Sequence, residues 1–170
     1  YDLEIEIMVA KGKVYTQINK VAKMVDTDLI VMGTNGPPKG TVKKFIGSNA
    51  ERVVRLAHCP VITIKGKDHR IGCKNIILPL DLQKETREKI TYAIEYARYW
   101  NATIRLVSVV LDANKHDKNV LKKNLNQAES FINNAEVMCS AELIYGKKKI
   151  SLGDFVFDYA DQYDADLIMI

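Results

Sequence analysis

Gly33-Thr34-Asn35-Gly36, followed by Gly47-Ser48, are the residues of this chain whose types and spacing best suit an anion. Glycine lets a backbone approach a ligand closely, and unpaired N–H groups at a helix start, aided by the helix dipole, favour negative charge. A Walker-type loop is excluded. Counting GxxxxGK[ST] from Gly33 puts Pro38 where the second glycine belongs and Gly40 where the hydroxyl residue belongs. Asp81, closing the run Ile76-Ile77-Leu78-Pro79-Leu80, either caps the helix after it or meets a ligand at the strand end. Ser48 has the same two readings, helix cap and ligand contact.

Other reactive residues form no constellation. Cys59, Cys73 and Cys139 are widely spaced with no CxxC pair, which indicates reduced thiols rather than a disulfide framework or zinc knuckle. His58 and Cys59 are neighbours, and neighbouring strand residues point apart. His69 and Cys73 are too few for a metal site. No triad or carboxylate dyad can be assembled from spacing. Lys43, Lys44, Arg52 and Arg55 lie near the glycines, as a solvated helix face or an anion-steering group. Trp100 and Tyr92, Tyr96 and Tyr99 read as helix packing.

Alternating strands and helices must position these residues. Leu3 to Val9 alternates apolar and polar at period two, which predicts a strand. Ile18, Val21, Ala22 and Val25 predict a helix with one apolar stripe, and Asp28-Leu29-Ile30-Val31-Met32 a strand buried on both faces. Residues 33–40 read as a loop. Ser48-Asn49-Ala50-Glu51 has the form of a capping box, opening a helix that buries Ala50, Val53, Val54 and Ala57. Pro60 to Ile64 is a last short strand, and the polar Lys65 to Lys74 stretch a linker. The pattern then restarts with a strand at Asn75 to Asp81, a helix through Ile90, Ala93, Ile94 and Ala97, and a strand at Thr103 to Val110. A polar loop at Asp112 to Lys118, a helix through Leu121, Leu125, Ala128 and Ile132, and a strand near Ala141 to Tyr145 come next. The last elements are a helix through Leu152, Phe155, Val156, Tyr159 and Ala160 and a strand at Asp166 to Ile170. This order implies βαβ units and a parallel sheet.

One segment occurs twice. Asp26-Thr27-Asp28-Leu29-Ile30-Val31-Met32 matches Asp164-Ala165-Asp166-Leu167-Ile168-Met169-Ile170 at an offset of 138 residues. Each copy follows a strand, a glycine (Gly12, Gly146) and a helix, and a domain-sized period means duplication. The expected fold is a tandem duplicated α/β unit, a flavodoxin-like or Rossmann-like open parallel sheet with helices on both faces. The expected divisions are 1–66, the C-terminal half of one unit; 67–74, a linker; and 75–170, the N-terminal part of the next. Tyr1 and Ile170 both fall inside apolar patterns, so the sequence reads as cut within each copy.

With 170 residues, 47% hydrophobic and 27% charged, the composition is that of an ordinary folded chain, and disorder is excluded. No apolar run spans a bilayer and no signal peptide is apparent, so a cytoplasmic protein without a membrane role is expected. The net charge of +4 comes from scattered lysines, which disfavours nucleic acid as partner.

The stretches DLIVMGTNG, GSNAERVVRLA and HCPVITIK resemble the end of a universal stress protein domain, and IILPLD its beginning. The resemblance covers nearly the whole chain and implies a stress-response regulatory or adaptor protein, cytoplasmic and dimeric. The ATP-binding branch of that family carries G-x2-G-x9-G-[ST], which maps onto Gly33, Gly36, Gly47 and Ser48 as phosphate and ribose contacts, with Asp81 meeting adenine. ATP, or AMP or ADP, is the implied cofactor, with no metal beyond nucleotide-bound Mg and at most weak ATP hydrolysis. Here ten residues, Pro37 to Ile46, separate Gly36 from Gly47, and Pro37 and Pro38 lack N–H donors. The alternative is therefore a non-nucleotide dimerisation or protein-interaction module of the same fold. The copies hold complementary halves of different sites, and because sheets with missing strands must still cover their edges, the expected assembly is a homo-oligomer, a dimer or a pair of chains exchanging halves.

Overall fold

The computed structural model describes residues 3–34, 47–64, 72–81, 86–111, 115–146 and 151–170. The chain divides into two units, Tyr1–Asp68 and His69–Ile170. In the first, α1 (Val14–Met24), β1 (Ile30–Gly33), α2 (Ser48–Leu56) and β2 (Val61–Ile64) follow one another. The strands β1 and β2 pair in parallel, Ile30 beside Val61 through Gly33 beside Ile64. Ala22 of α1 and Val53 of α2 pack with Ile30, and Ile18, Met32, Ala57 and Val61 close around them.

Three expectations change in this unit. Leu3 to Val9 is not a strand: Leu3, Ile5, Ile7 and Val9 are 79%, 81%, 88% and 95% exposed. Alternation marks a segment able to be a strand, but a strand exists only on a partner's hydrogen bonds, and none is found among the described residues. The strand β1 is covered on one face alone, with Val31 56% and Ile64 53% exposed on the other, because α1 and α2 pack against the same cluster. Ser48 is the first helical residue rather than the cap; Gly47 holds the cap position with no side-chain bond, and Glu51 turns instead to Arg55 at 3.0 Å. Val54 is consequently exposed, while Ala50 and Val53 carry the buried stripe.

The second unit runs β3 (Asn75–Pro79), α3 (Thr86–Trp100), β4 (Thr103–Leu111), α4 (Lys115–Asn134), β5 (Cys139–Gly146), α5 (Leu152–Gln162) and β6 (Leu167–Ile168). Its sheet is parallel throughout, in the order β5-β4-β3-β6. The central β3 buries Ile76, Ile77 and Leu78 completely, each contributing about 1.5–3 kcal/mol. Side chains alternate across a strand, so Ile76 and Leu78 join Ile94 and Ala97 of α3 and Leu125 and Ile132 of α4, while Ile77 faces Val156, Tyr159 and Ala160 of α5. Helices therefore cover both faces. The helix α4 already begins at Lys115, so the expected loop is shorter than its polar composition suggested. Ser151 is a true N-cap, accepting from the Asp154 N–H at 3.2 Å. Tyr96 packs on the core, but Tyr92, Tyr99 and Trp100 are exposed, the last two edge to face at 5.0 Å.

The duplication extends to backbone geometry. The helices α1 and α5 have 11 residues each and stand 138 positions apart. Two residues beyond the end of each stands an aspartate with left-handed backbone, Asp26 at φ 50° and Asp164 at φ 48°. In each, the next N–H reaches back five residues to a buried alanine carbonyl, Thr27 to Ala22 at 3.0 Å and Ala165 to Ala160 at 2.9 Å. This C-terminal motif satisfies carbonyls that the helix leaves open. The ends of α3 and α4 repeat it with Asn101 (φ 52°) and Glu136 (φ 60°). There the Ala102 N–H donates to Ala97 and the Val137 N–H to Ile132.

The second aspartate of the repeat joins β6 to β3. Asp166 Oδ2 accepts from the backbone N–H groups of Lys74 at 2.7 Å and Asn75 at 3.0 Å. The equivalent Asp28 is exposed, with no hydrogen bond among the described residues. Asp166→Ala should lower the unfolding free energy of the second unit by about 1–3 kcal/mol, whereas Asp28→Ala should change stability by less than about 0.5 kcal/mol. Urea melts followed by circular dichroism check this, and equal losses at both positions would refute it. Glu136 holds a left-handed conformation unfavourable to a residue with a Cβ, so Glu136→Gly should stabilise by about 0.5–1 kcal/mol in the same melts. A lower midpoint for that variant contradicts the assignment.

Candidate functional site

The glycine-rich segment starts and ends at one place. Gly33 closes β1, Thr34 is tied to β2 by its N–H donating to the Ile64 carbonyl at 2.9 Å, and Gly47 lies against Thr34. A Cβ on Gly47 would stand 3.2 Å from the Thr34 carbonyl oxygen, a tight contact that a larger residue keeps only if the backbone gives by a few tenths of an ångström. Among the described residues, a Cβ on Gly33 would meet nothing within 4 Å. From Gly47 the chain enters α2, and the first backbone bond of the helix runs from the Glu51 N–H to the Gly47 carbonyl. The N–H groups of Ser48, Asn49 and Ala50 precede that bond and have no acceptor within the helix. Gly33, Gly47 and Ser48 are thus brought together beside a helix start, with the exposed Ser48 hydroxyl at its edge. Gly36 lies outside the described residues, as do Pro37, Pro38, Lys43 and Lys44. Arg55 is engaged with Glu51, and Arg52 lies over the Tyr15 ring at 4.9 Å.

Asp81 belongs to the second unit. Between β3 and β6 the strand order reverses direction, and in open α/β sheets the crevice beyond the carboxyl ends at such a reversal is where ligands lie. Asp81 stands at that end of β3, two residues beyond its last paired residue Pro79, and is exposed.

Below the sheet, Arg105 Nε donates to Asn75 Oδ1 at 3.1 Å, and its guanidinium lies 4.2 Å from the centre of the Tyr163 ring. The Tyr163 hydroxyl reaches Glu142 at 3.4 Å. Burial, with the nearby Glu142 charge, pushes the Tyr159 phenol far above its usual value. This network fixes α5 to the sheet and was not apparent in the sequence, where Arg105 and Glu142 look like ordinary exposed strand residues. All three cysteines are free. Burial, with Asp166 adding to it, pushes the Cys73 thiol up to about 11, and burial with Glu129 pushes Cys139 to about 12, so both remain protonated and inert at neutral pH. Among the described residues no group of three His, Cys, Asp or Glu could hold a metal, and no helix is long and apolar enough to cross a membrane.

Comparison with known proteins agrees with this architecture. Residues 2–65 match the model of the universal stress protein family. Over 65 residues the chain is 38% identical to a universal stress protein of Methanocaldococcus jannaschii, an alignment spanning 38% of each chain, so little more than a third of that relative is represented. Among solved structures, a universal stress protein from Archaeoglobus fulgidus DSM 4304 overlays 91% of this chain and 52% of its own at a TM-score of 0.68 and 18% identity. A functionally unknown protein from Pseudomonas aeruginosa PAO1 overlays 93% and 57%, with a TM-score of 0.64 and 18% identity. A universal stress protein from Archaeoglobus fulgidus in complex with dAMP overlays 58% and 80%, at 0.50 and 22%. These structural likenesses show the fold, and the segment of residues 2–65 matches the universal stress protein family.

Proposed function

We propose that this protein is a stress-response regulatory protein that binds an adenine nucleotide, ATP with its own Mg2+ or AMP or ADP, without a dedicated metal site. The observation carrying the reading is that no described residue lies within 4 Å of a Cβ on Gly33, set beside Gly47 and the N–H groups that begin α2 without an acceptor in the helix. A phosphate can approach the Gly33 backbone unobstructed while those donors and the helix dipole meet its charge. Gly36 belongs to the same contact set by its place in the motif, and Asp81, at the strand reversal of the second unit, is the adenine contact of that unit's own, separate site. The Archaeoglobus fulgidus relative in complex with dAMP supports an adenine nucleotide as the ligand class. No residue is assigned to hydrolysis, so regulation rather than turnover is the output.

A second reading, an interaction module that works as a homo-oligomer, is favoured by the uncovered apolar sheet face at Val31 and Ile64. Such faces on a β-sheet commonly mark contact with another chain.

Isothermal calorimetry with ATP and Mg2+ separates the two. Wild type should give binding heat. Gly33→Val, whose Cβ meets no described residue within 4 Å, should abolish that heat with an unchanged circular dichroism spectrum. No heat in wild type retires the nucleotide reading, and undiminished heat in the variant moves the site elsewhere.

A further inference from the structure

Ser108 is the most deeply buried polar side chain among the described residues, 1% exposed in β4 between residues that build the core. A buried hydroxyl is costly unless bonded, and this one donates to the Leu80 carbonyl at 2.7 Å. The regular ladder of β3 and β4 ends where Pro79 lies beside Val107. One more backbone bond carries it forward, from the Leu80 N–H to the Val107 carbonyl at 2.8 Å. Leu80 therefore has its N–H fixed by backbone, its carbonyl fixed by a side chain from the neighbouring strand, and its own side chain buried. The next residue is Asp81.

We infer that Ser108 is a positioning residue for Asp81. It holds the last buried peptide of β3 so that the carboxylate leaves the strand in one direction into the crevice beside β6. The inference rests on the reading of Asp81 as the adenine contact. Recognition by a carboxylate needs its position held to within about 0.5 Å, which an unpaired, fraying strand end cannot provide. Without the hydroxyl the Leu80 carbonyl loses its partner in a buried setting, and the peptide that carries Asp81 is released to turn toward water.

Two variants of equal shape isolate the hydroxyl: Ser108→Thr keeps it and Ser108→Val removes it. With ATP and Mg2+ in calorimetry, the Thr variant should stay within about threefold of wild type and the Val variant should bind about tenfold or more weakly, both with native circular dichroism. Without nucleotide, deuterium uptake over the segment containing Leu80 and Asp81 should rise in the Val variant and not in the Thr variant. Ser108→Ala, which adds no volume, supplies the same comparison with wild type if the extra methyl breaks both folds. Equal affinities and equal uptake for Thr and Val, or for Ala and wild type, overturn the role of Ser108 and leave the nucleotide reading standing. Absence of heat in wild type overturns both.

Discussion

The arrangement of the second unit depends on how β3 is held along both edges. One edge meets β4 over five residue pairs, whereas the other meets β6 over only two. The short edge is reinforced by the carboxylate of Asp166, which takes the first two N–H groups of the incoming strand. A charged acceptor makes such bonds shorter and stronger than neutral ones, and here it binds the start of β3 to the start of β6 before the ladder begins. The reversal of strand order, and with it the crevice at the far end of β3, lies between the two strands so joined. The same strand carries Asp166's bonds at one end and Asp81 at the other, so what fixes the fold also fixes where its carboxylate emerges.

The first unit shows the same sequence without that neighbour. Asp28 occupies the position of Asp166, Leu29 that of Leu167, and Ile30 that of Ile168. The helix, the left-handed aspartate and the returning N–H bond are all reproduced, because each is local to the helix end. The strand beyond is reproduced too, but it pairs with β2, and Val31 remains exposed where its counterpart Met169 donates its N–H to Ile77 and packs on the core. Local structure follows the repeat; burial follows the neighbours.

This contrast explains what could be read from sequence. The stripes of α3 and α4 and the apolar run of β3 were legible because their periods report burial directly, and Ile76 to Leu78 are buried as that run implies. Leu3 to Val9 was misleading because alternation records the capacity to pair and not the presence of a partner. The capping signature at Ser48 failed by one residue, with Gly47 at the cap, while Ser151 and Asp154 at the start of α5 formed the cap that Ser48 lacks. The left-handed residues at helix ends are Asp, Asn and Glu rather than glycine, and carry no clear mark in the sequence. Ser108 was invisible for a related reason: one serine in an apolar strand reads as neutral until its carbonyl partner is known. The duplicated Asp28 and Asp166 were the signal that could have revealed the strand attachment, since a second acidic residue before an apolar strand needs an explanation that propensity does not offer.

The two glycines at the ends of the loop are alike in sequence and different in physics. Gly47 answers to packing, since a side chain there would press on the Thr34 carbonyl. Gly33 answers to no contact among the described residues; its backbone is extended, and a Cβ there would meet nothing within 4 Å. A strand normally gains from a side chain at such a position, because glycine is more flexible in the unfolded chain and contributes no packing. The structural account of the loop therefore covers one of its ends and stops at the other. What Gly33 does supply is a backbone bare of side chain near the N–H groups that begin α2, which have no acceptor within the helix.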